Sequence, residues 1–336
     1  MLVPLLKDFS KEIFMINPQR IVSVTDYGYQ ELGLKDYEKA TQLLFSLVSS
    51  SKNDNKVLFR GVGYDFLVNR LFQEGDEPRD DEIANRLFYF GEKAQHFRNE
   101  NIDKKWLKYI SDIESKTANK IFDRLNNLKM STNENVLAFV ESNPSFFEFF
   151  LEKSNKQQFA TMFENVGVEA RDYFWAILHT AGNIGTRGQS ISVSTSRCIN
   201  QAMDFRDPNN KNRYVIYSVN RLDYSRRARL LKAISQHNVP TISSYSSIYK
   251  AQKEETLKAG LFPHDIVGLY CIHSKELIFN PHIFSELNRN RNIAKQPLDI
   301  DQSGFGESES PRVCQRLNNL RNWNYEKIKS LYIRIS

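Results

Sequence analysis

Apolar residues recur along this chain in two periods, and the change between them divides it. From Tyr37 through Ala40 and Leu44 to Leu47 and Val48 they fall every three or four positions, which predicts one face of a helix. The polar loop SSSKNDN and then VLFRG at 57–61 follow, a short apolar run closed by glycine that predicts a strand feeding a turn. The first third thus mixes helices with one strand. Residues from about 80 to 180 return to the helical period: Phe159, Met162/Phe163, Val166, Ala170, Phe174 and Ile177 keep three-to-four spacing through ATMFENVGVEARDYFWAIL. The phenylalanine-dense SFFEFFLEK at 145–153 is expected between helices, because exposed it would be an adhesive patch.

Beyond the turn-rich AGNIGTRGQS the pattern changes to strands. ISVST at 191–195 alternates, and RYVIYSV at 213–219 is β-branched and aromatic. DIVGLYCI at 265–272 and ELIF at 276–279 predict neighbouring strands across a tight connection. A helix is expected near 223–236, with Asp223 as its N-cap. Residues 285–312 are polar and irregular, a linker or loop, and the amphipathic VCQRLNNLRNWNYEKIKSLYI predicts a docked terminal helix. The class is α+β. Residues 1–56 form an N-terminal helical segment and 57–284 a core with a helical elaboration at about 80–180. Residues 285–336 make the linker and last helix.

Composition narrows the classes of function. The 336 residues are 40% hydrophobic and 26% charged, enough for a core and an ordinary polar surface. No apolar run approaches the roughly 20 residues of a membrane span. The start, MLVPLLKDFSKEIF, lacks the order of a secretory signal and is expected to dock as a terminal segment. Cys198, Cys271 and Cys314 are far apart and form no CxxC pair, which argues against a disulfide scaffold or structural zinc and for a cytoplasmic protein. The net charge of +6 permits a nucleic-acid partner, and suits a mildly basic enzyme equally.

Three elements carry the candidate chemistry. Arg60 ends VLFRG, Ser194-Thr195-Ser196 closes ISVSTS, and Glu255 lies in QKEETLKAG just before DIVGLYCI. Singly each has a commoner structural explanation: a surface ion pair, strand hydroxyls, a solvated helix charge. In this order and in these strand contexts they resemble the arginine–serine–glutamate class of ADP-ribosyltransferases, over about 55–282 and most strongly from Ile191 to Pro281. STSRCINQAMDF is similar to the family's Ser-Thr-Ser segment, RYVIYSV to the strand after it, and YKAQKEETLKAGLFPHDIV to its loop, glutamate and next strand. Phe59-Arg60-Gly61 also resembles the start of bacterial FRG domains.

The resemblance implies an ADP-ribosyltransferase-like split β-sheet carrying a large helical insertion, with NAD as substrate and no metal. Arg60, beside Gly61, would anchor the pyrophosphate or adjacent ribose, since a guanidinium is a planar fork of donors. Glu255 would stabilise the positive ribose as the nicotinamide bond breaks. Ser194 would hydrogen-bond and orient Glu255, with Thr195 and Ser196 supporting the strand end. Phe205 would stack on nicotinamide or pack in the core.

The loop SSYSSIYKAQ would face the acceptor, with Tyr245, Tyr249 and Lys253 in contact with it. Many relatives have Glu or Gln two positions before the catalytic glutamate; here that position is Lys253, with Gln252 and Glu254 beside it in the wrong register, so the rule that reads the acceptor from it does not apply. The interval between Arg60 and Ser194 is also longer than the family core needs. Lys253, the two tyrosines and the basic run from Arg221 to Lys232 favour nucleic acid, RNA above all, as acceptor. Protein mono-ADP-ribosylation, NAD glycohydrolysis and a non-enzymatic nucleic-acid-binding module are the alternatives. By resemblance the role is a bacterial toxin or phage-defence effector, with an antitoxin protein as a further partner and no membrane.

Overall fold

The structure, a computed structural model, describes residues 20–25, 28–31, 55–72, 75–92, 115–181, 192–205, 213–221, 224–242, 254–258, 261 and 266–280. They form a mixed α+β architecture around one eight-stranded sheet. The strands are β1 (Arg20–Thr25), β2 (Gly28–Glu31), β3 (Asn55–Gly63), β4 (Ser192–Ser196), β5 (Arg213–Arg221), β6 (Glu254–Lys258), β7 (Ile266–Cys271) and β8 (Glu276–Phe279). Their order is β2-β1-β8-β7-β5-β3-β4-β6. From β8 to β6 every neighbour is antiparallel, while β1 joins β8 in parallel.

The central strands read as continuous apolar runs because both of their faces are covered. Every residue of β7 is buried, as are Tyr214 to Ser218 of β5. β3 pairs with β5 along its whole length, from Asn55↔Arg221 to Gly63↔Arg213, yet meets β4 only at Phe59↔Ser196. At that single pair the six-strand antiparallel part is least zipped, and the candidate residues gather beside it.

Two expectations need correction. The described residues of the first third hold three strands, not one. β1, RIVSVT, pairs with β8 at the other end of the chain, a long-range contact that local periodicity does not register. The Glu255 segment is itself a strand, β6, on the sheet edge. Its only apolar residue is Leu257, so the pattern EETLK gives no strand signal of its own.

Between β3 and β4 run α1 (Tyr64–Leu71), α2 (Asp80–Phe90), α3 (Ser115–Asn127), a 3-10 turn (Leu128–Met130), α4 (Glu134–Glu141), α5 (Pro144–Leu151), α6 (Asn155–Val166) and α7 (Val168–Thr180). α8 (Ile199–Met203) follows β4 and α9 (Tyr224–Ser235) follows β5. The apolar stripe expected through residue 177 is broken into α6 and α7 at Gly167, whose φ of +84° is left-handed. Asn133 caps α4 by accepting from the Asn135 and Val136 N–H groups, and Pro144 opens α5 where no intrahelical N–H is needed. SFFEFF supplies Phe146, Phe147 and Phe150 to the core of these helices. Phe150 lies 5.3 Å, ring centre to ring centre, from both Phe122 and Phe159. Leu230 and Ile234 of α9 join the same core.

No helix among the described residues is long and apolar enough to cross a membrane. The expected N-terminal helix, the linker and the last helix lie outside the described residues, as do Tyr245, Tyr249, Lys253 and Cys314.

Candidate active site

Antiparallel pairing sets the geometry here. Ser194 stands opposite Thr256, Thr195 opposite Glu255, and Ser196 opposite Glu254. Directly opposed residues share a face and successive ones alternate, so Ser194, Ser196 and Glu254 lie on one face and Thr195 and Glu255 on the other. Ser194 and Glu254 accordingly lie diagonally across β4 and β6 on one face, and the Ser194 hydroxyl is among the groups that hold the Glu254 pKa down. Glu255 instead pairs with Arg197, just past the end of β4, and is 2% exposed. Where contact between Ser194 and Glu255 was expected, the register puts Ser194 on the face of Glu254. A one-residue difference along a strand is a change of face.

The remaining hydroxyls of the triplet build the strand end. Thr195 Oγ1 donates to the Glu255 carbonyl at 2.7 Å, fastening β4 to β6. Ser196 Oγ accepts from the Cys198 N–H at 2.9 Å and turns the chain into α8. α8 then crosses β3 at Gly61, where an added Cβ would lie 2.0 Å from the Ala202 carbonyl oxygen and 2.7 Å from Phe205 Cβ. Phe205 is 56% exposed, so packing in the core is not its role.

Arg60 points toward the same region with much of its fork engaged. Its Nη1 donates to the Ser194 carbonyl at 2.8 Å, and Nε and Nη2 face the two oxygens of Glu92. Glu92 follows α2, is joined to Leu261 by a two-way backbone bridge, and is 1% exposed. Arg70 of α1 approaches the same carboxylate at 3.5 Å and stacks on the Phe66 ring, 4.0 Å from its centre. Burial lowers the Arg70 pKa; Glu92 opposes that shift and Arg60 adds to it. An isolated buried carboxylate would cost several kcal/mol, so compensating Glu92 is a first duty of these two arginines.

Glu254 is more accessible, with 9% of its side chain exposed. Burial raises its pKa, and hydrogen bonding from Ser194 and the positive field of Arg60 oppose the rise. His179, in the last turn of α7, completes the cluster. Its Nε2 lies 2.6 Å from Ser194 Oγ and 3.9 Å from Glu254 Oε1. The helical elaboration thus contributes directly to the site.

Arg60, Ser194 and the Glu254–Glu255 pair are brought together, while Phe205 lies beside Gly61. Sequence reasoning missed Glu92, Arg70, His179 and Arg197. The parity of β6 against β4 would have separated the two glutamates, but only once β6 was known to be a strand. Nothing in the sequence marked Glu92 or His179. Among the described residues there is no cluster of three or more His, Cys, Asp or Glu side chains suited to a metal ion. No family model, curated protein or solved structure matches the chain.

Proposed function

We propose that the chain is an NAD-dependent ADP-ribosyltransferase with Glu254, rather than Glu255, as its catalytic carboxylate. The observation that carries this reading is the placement of Ser194 and Glu254 on one face of β4 and β6, with Arg60 bonded to the Ser194 carbonyl, at the sparsest junction of the sheet. An arginine, a serine and a glutamate from three successive elements of the resemblance thereby share one small region. The split sheet and helical insertion of that family belong to the same proposal. The reassignment also removes the chief departure from the family pattern. Two positions before Glu254 stands Gln252, so Gln252-Lys253-Glu254 has the glutamine spacing that Glu255 lacks.

The residues present suit NAD as substrate. Arg70, partly exposed and stacked on Phe66, offers a cation to the phosphates, while Arg60 holds the junction and keeps two of its five N–H groups beyond the contacts to Ser194 and Glu92. Phe205 offers an exposed ring for stacking. Cleavage of the nicotinamide–ribose bond develops positive charge on the ribose. A largely enclosed, oriented carboxylate such as Glu254 stabilises that charge more strongly than a solvated one. Ser194 fixes the rotamer of Glu254, and the water-poor surroundings keep its field unscreened.

The acceptor is proposed to be a macromolecule, with nucleic acid supported by the net charge of +6. Gln252 supports a second reading, a protein side chain, because the family uses that position to recognise one. The toxin or phage-defence role, and an antitoxin partner, remain part of the proposal through the resemblance. Incubation with NAD labelled in its adenylate half, plus cell lysate, tests the reading. Label should enter a macromolecule, and nuclease or protease digestion then shows which class. NAD consumption without labelled macromolecule would make the protein a glycohydrolase. Absence of NAD binding would remove the enzymatic reading and leave the binding module.

A further inference from the structure

β3 and β4 share a single residue pair, so the ladder does little to join them beside the site. Arg60 fills part of that gap. Its Nη1 donates to the Ser194 carbonyl at 2.8 Å and ties the two strands through a side chain. An arginine stem is flexible, and holding it in one orientation costs rotamer entropy. Glu92 supplies the restraint. Its Oε2 lies 2.5 Å from Arg60 Nε, and its Oε1 accepts from Nη2 at 3.2 Å. The carboxylate thus takes one edge of the guanidinium side-on, while the Ser194 carbonyl takes Nη1, and three contacts from two partners fix a plane. The direction of these contacts is not open, because a guanidinium only donates.

Glu92 is itself held from two sides. It follows α2, and its N–H and carbonyl both bond Leu261, beyond β6, at 2.9 Å. Its position is therefore set by backbone, independently of the arginines. Balancing its charge does not by itself require the side-on geometry. Arg70 reaches the same carboxylate only at 3.5 Å and stacks on Phe66, 4.0 Å from the ring centre against 5.5 Å for Arg60. The close contacts go to the arginine that touches β4.

We propose that Glu92 is a positioning residue of the active site, gripping the Nε edge of Arg60 so that the guanidinium spans the β3–β4 junction and turns its remaining N–H groups to the phosphates of NAD. This inference rests on the transferase reading of the same site.

The sign of one measurement separates positioning from charge balance. NAD carries a charged pyrophosphate. A glutamate that only balanced charge would, as Glu92→Gln, release two arginines and tighten NAD binding several-fold, while Glu92→Asp would bind as wild type does. A glutamate that positions Arg60 gives the opposite result: both variants should raise Kd for NAD by about tenfold, because a hydrogen bond to a charged group is misplaced. Asp is one methylene too short, and Gln turns an N–H toward a donor. Glu92→Asp keeps both arginines compensated, so it tests position without stripping the charge. A second readout needs no NAD. In ligand-free protein with 15N-labelled arginine, the Arg60 Nε–H should exchange with solvent about tenfold faster in Glu92→Asp than in wild type. In an Arg60→Lys background Glu92→Asp should weaken NAD binding little further, since the two act through one contact. Wild-type affinity or wild-type exchange in a folded Glu92→Asp protein, tighter binding in Glu92→Gln, or additive losses in the double variant would sink the inference while leaving the transferase intact. A wild-type protein that binds no NAD would remove the transferase reading and this inference with it.

Discussion

At the scale of single residues, the two adjacent glutamates take opposite faces of β6, and the proposal gives them opposite duties. Glu254→Gln keeps shape and much of the hydrogen bonding but removes the charge, so transfer should fall roughly 100- to 1000-fold with NAD binding preserved. Glu255→Gln should instead leave kcat within a few-fold and lower stability by about 1 kcal/mol through its weakened pairing with half-exposed Arg197. The reverse pattern of rates would restore Glu255 as the catalytic carboxylate. Glu254 also predicts a pH dependence. Its folded pKa is raised, so the native state holds the proton more tightly than the unfolded chain does. Its contribution to stability is therefore greatest below the unfolded value. It falls as pH climbs from there through the folded value, and above that ionised Glu254 is a constant cost. Denaturant titrations of the Gln variant should lack this decline. Activity should rise as pH passes through the folded value, where the carboxylate of the native enzyme forms. Arg60→Ala is a different kind of variant. It strips one of two cations from a buried carboxylate, so unfolding free energy should drop by about 3 kcal/mol. A fully stable Arg60→Ala protein would show that Arg70 alone compensates Glu92.

At the scale of elements, the approach of α8 to β3 depends on one missing side chain. Gly61→Ala would drive a Cβ into the Ala202 carbonyl, which is backbone and has no rotamer to yield. The helix must lift, carrying Phe205 with it. A loss of about 1–3 kcal/mol is expected, with weakened NAD binding. Unchanged melting and unchanged affinity would mean that α8 is less constrained than its packing implies. Legibility at this scale followed the same physics. β3, β5, β7 and β8 could be read because β-branched and aromatic residues cluster in strands covered on both faces. Thr195, Ser196 and Leu257 also fit a strand ladder, but EETLK is an edge strand with one apolar residue, and only pairing with β4 makes it a strand at all. That gap left the opposite faces of Glu254 and Glu255 unread. α6 and α7 were merged because Val166 and Ala170 keep the apolar stripe on both sides of Gly167, where only the backbone turns. Glu92 and His179 were invisible for another reason: each sits near a helix end, and what matters is the long-range partner it meets.

At the scale of the whole molecule, the open question is which surface meets the acceptor, and charge and sequence spacing point in different directions. The net charge of +6 and the exposed Arg229 and Lys232 on α9 suit a phosphate backbone. With Glu254 as the catalytic residue, however, Lys253 no longer occupies the acceptor-reading position, and its argument for a polyanion lapses. Gln252 takes that position and suits an acceptor read by hydrogen bonding. The two acceptors separate in a salt series. Three or four phosphate contacts to a single strand should lower affinity by roughly 20- to 50-fold over a fourfold rise in salt, since bound counterions are released in proportion. A protein side chain read by one glutamine should show little such slope. Replacing Tyr245 and Tyr249 with Ala should cut transfer to RNA by roughly tenfold or more if each stacks on a base, with NAD affinity intact. Gln252→Ala should abolish transfer to a protein side chain while NAD hydrolysis persists, because bond cleavage needs only Glu254 and its supports. Label found on RNA, with a steep salt slope and a strong tyrosine effect, would make the basic surface the decisive one. Label confined to protein, with a flat slope and a strong Gln252 effect, would show that specificity resides in Gln252 and Glu254, two positions apart in the sequence, and that the molecule's charge serves another purpose.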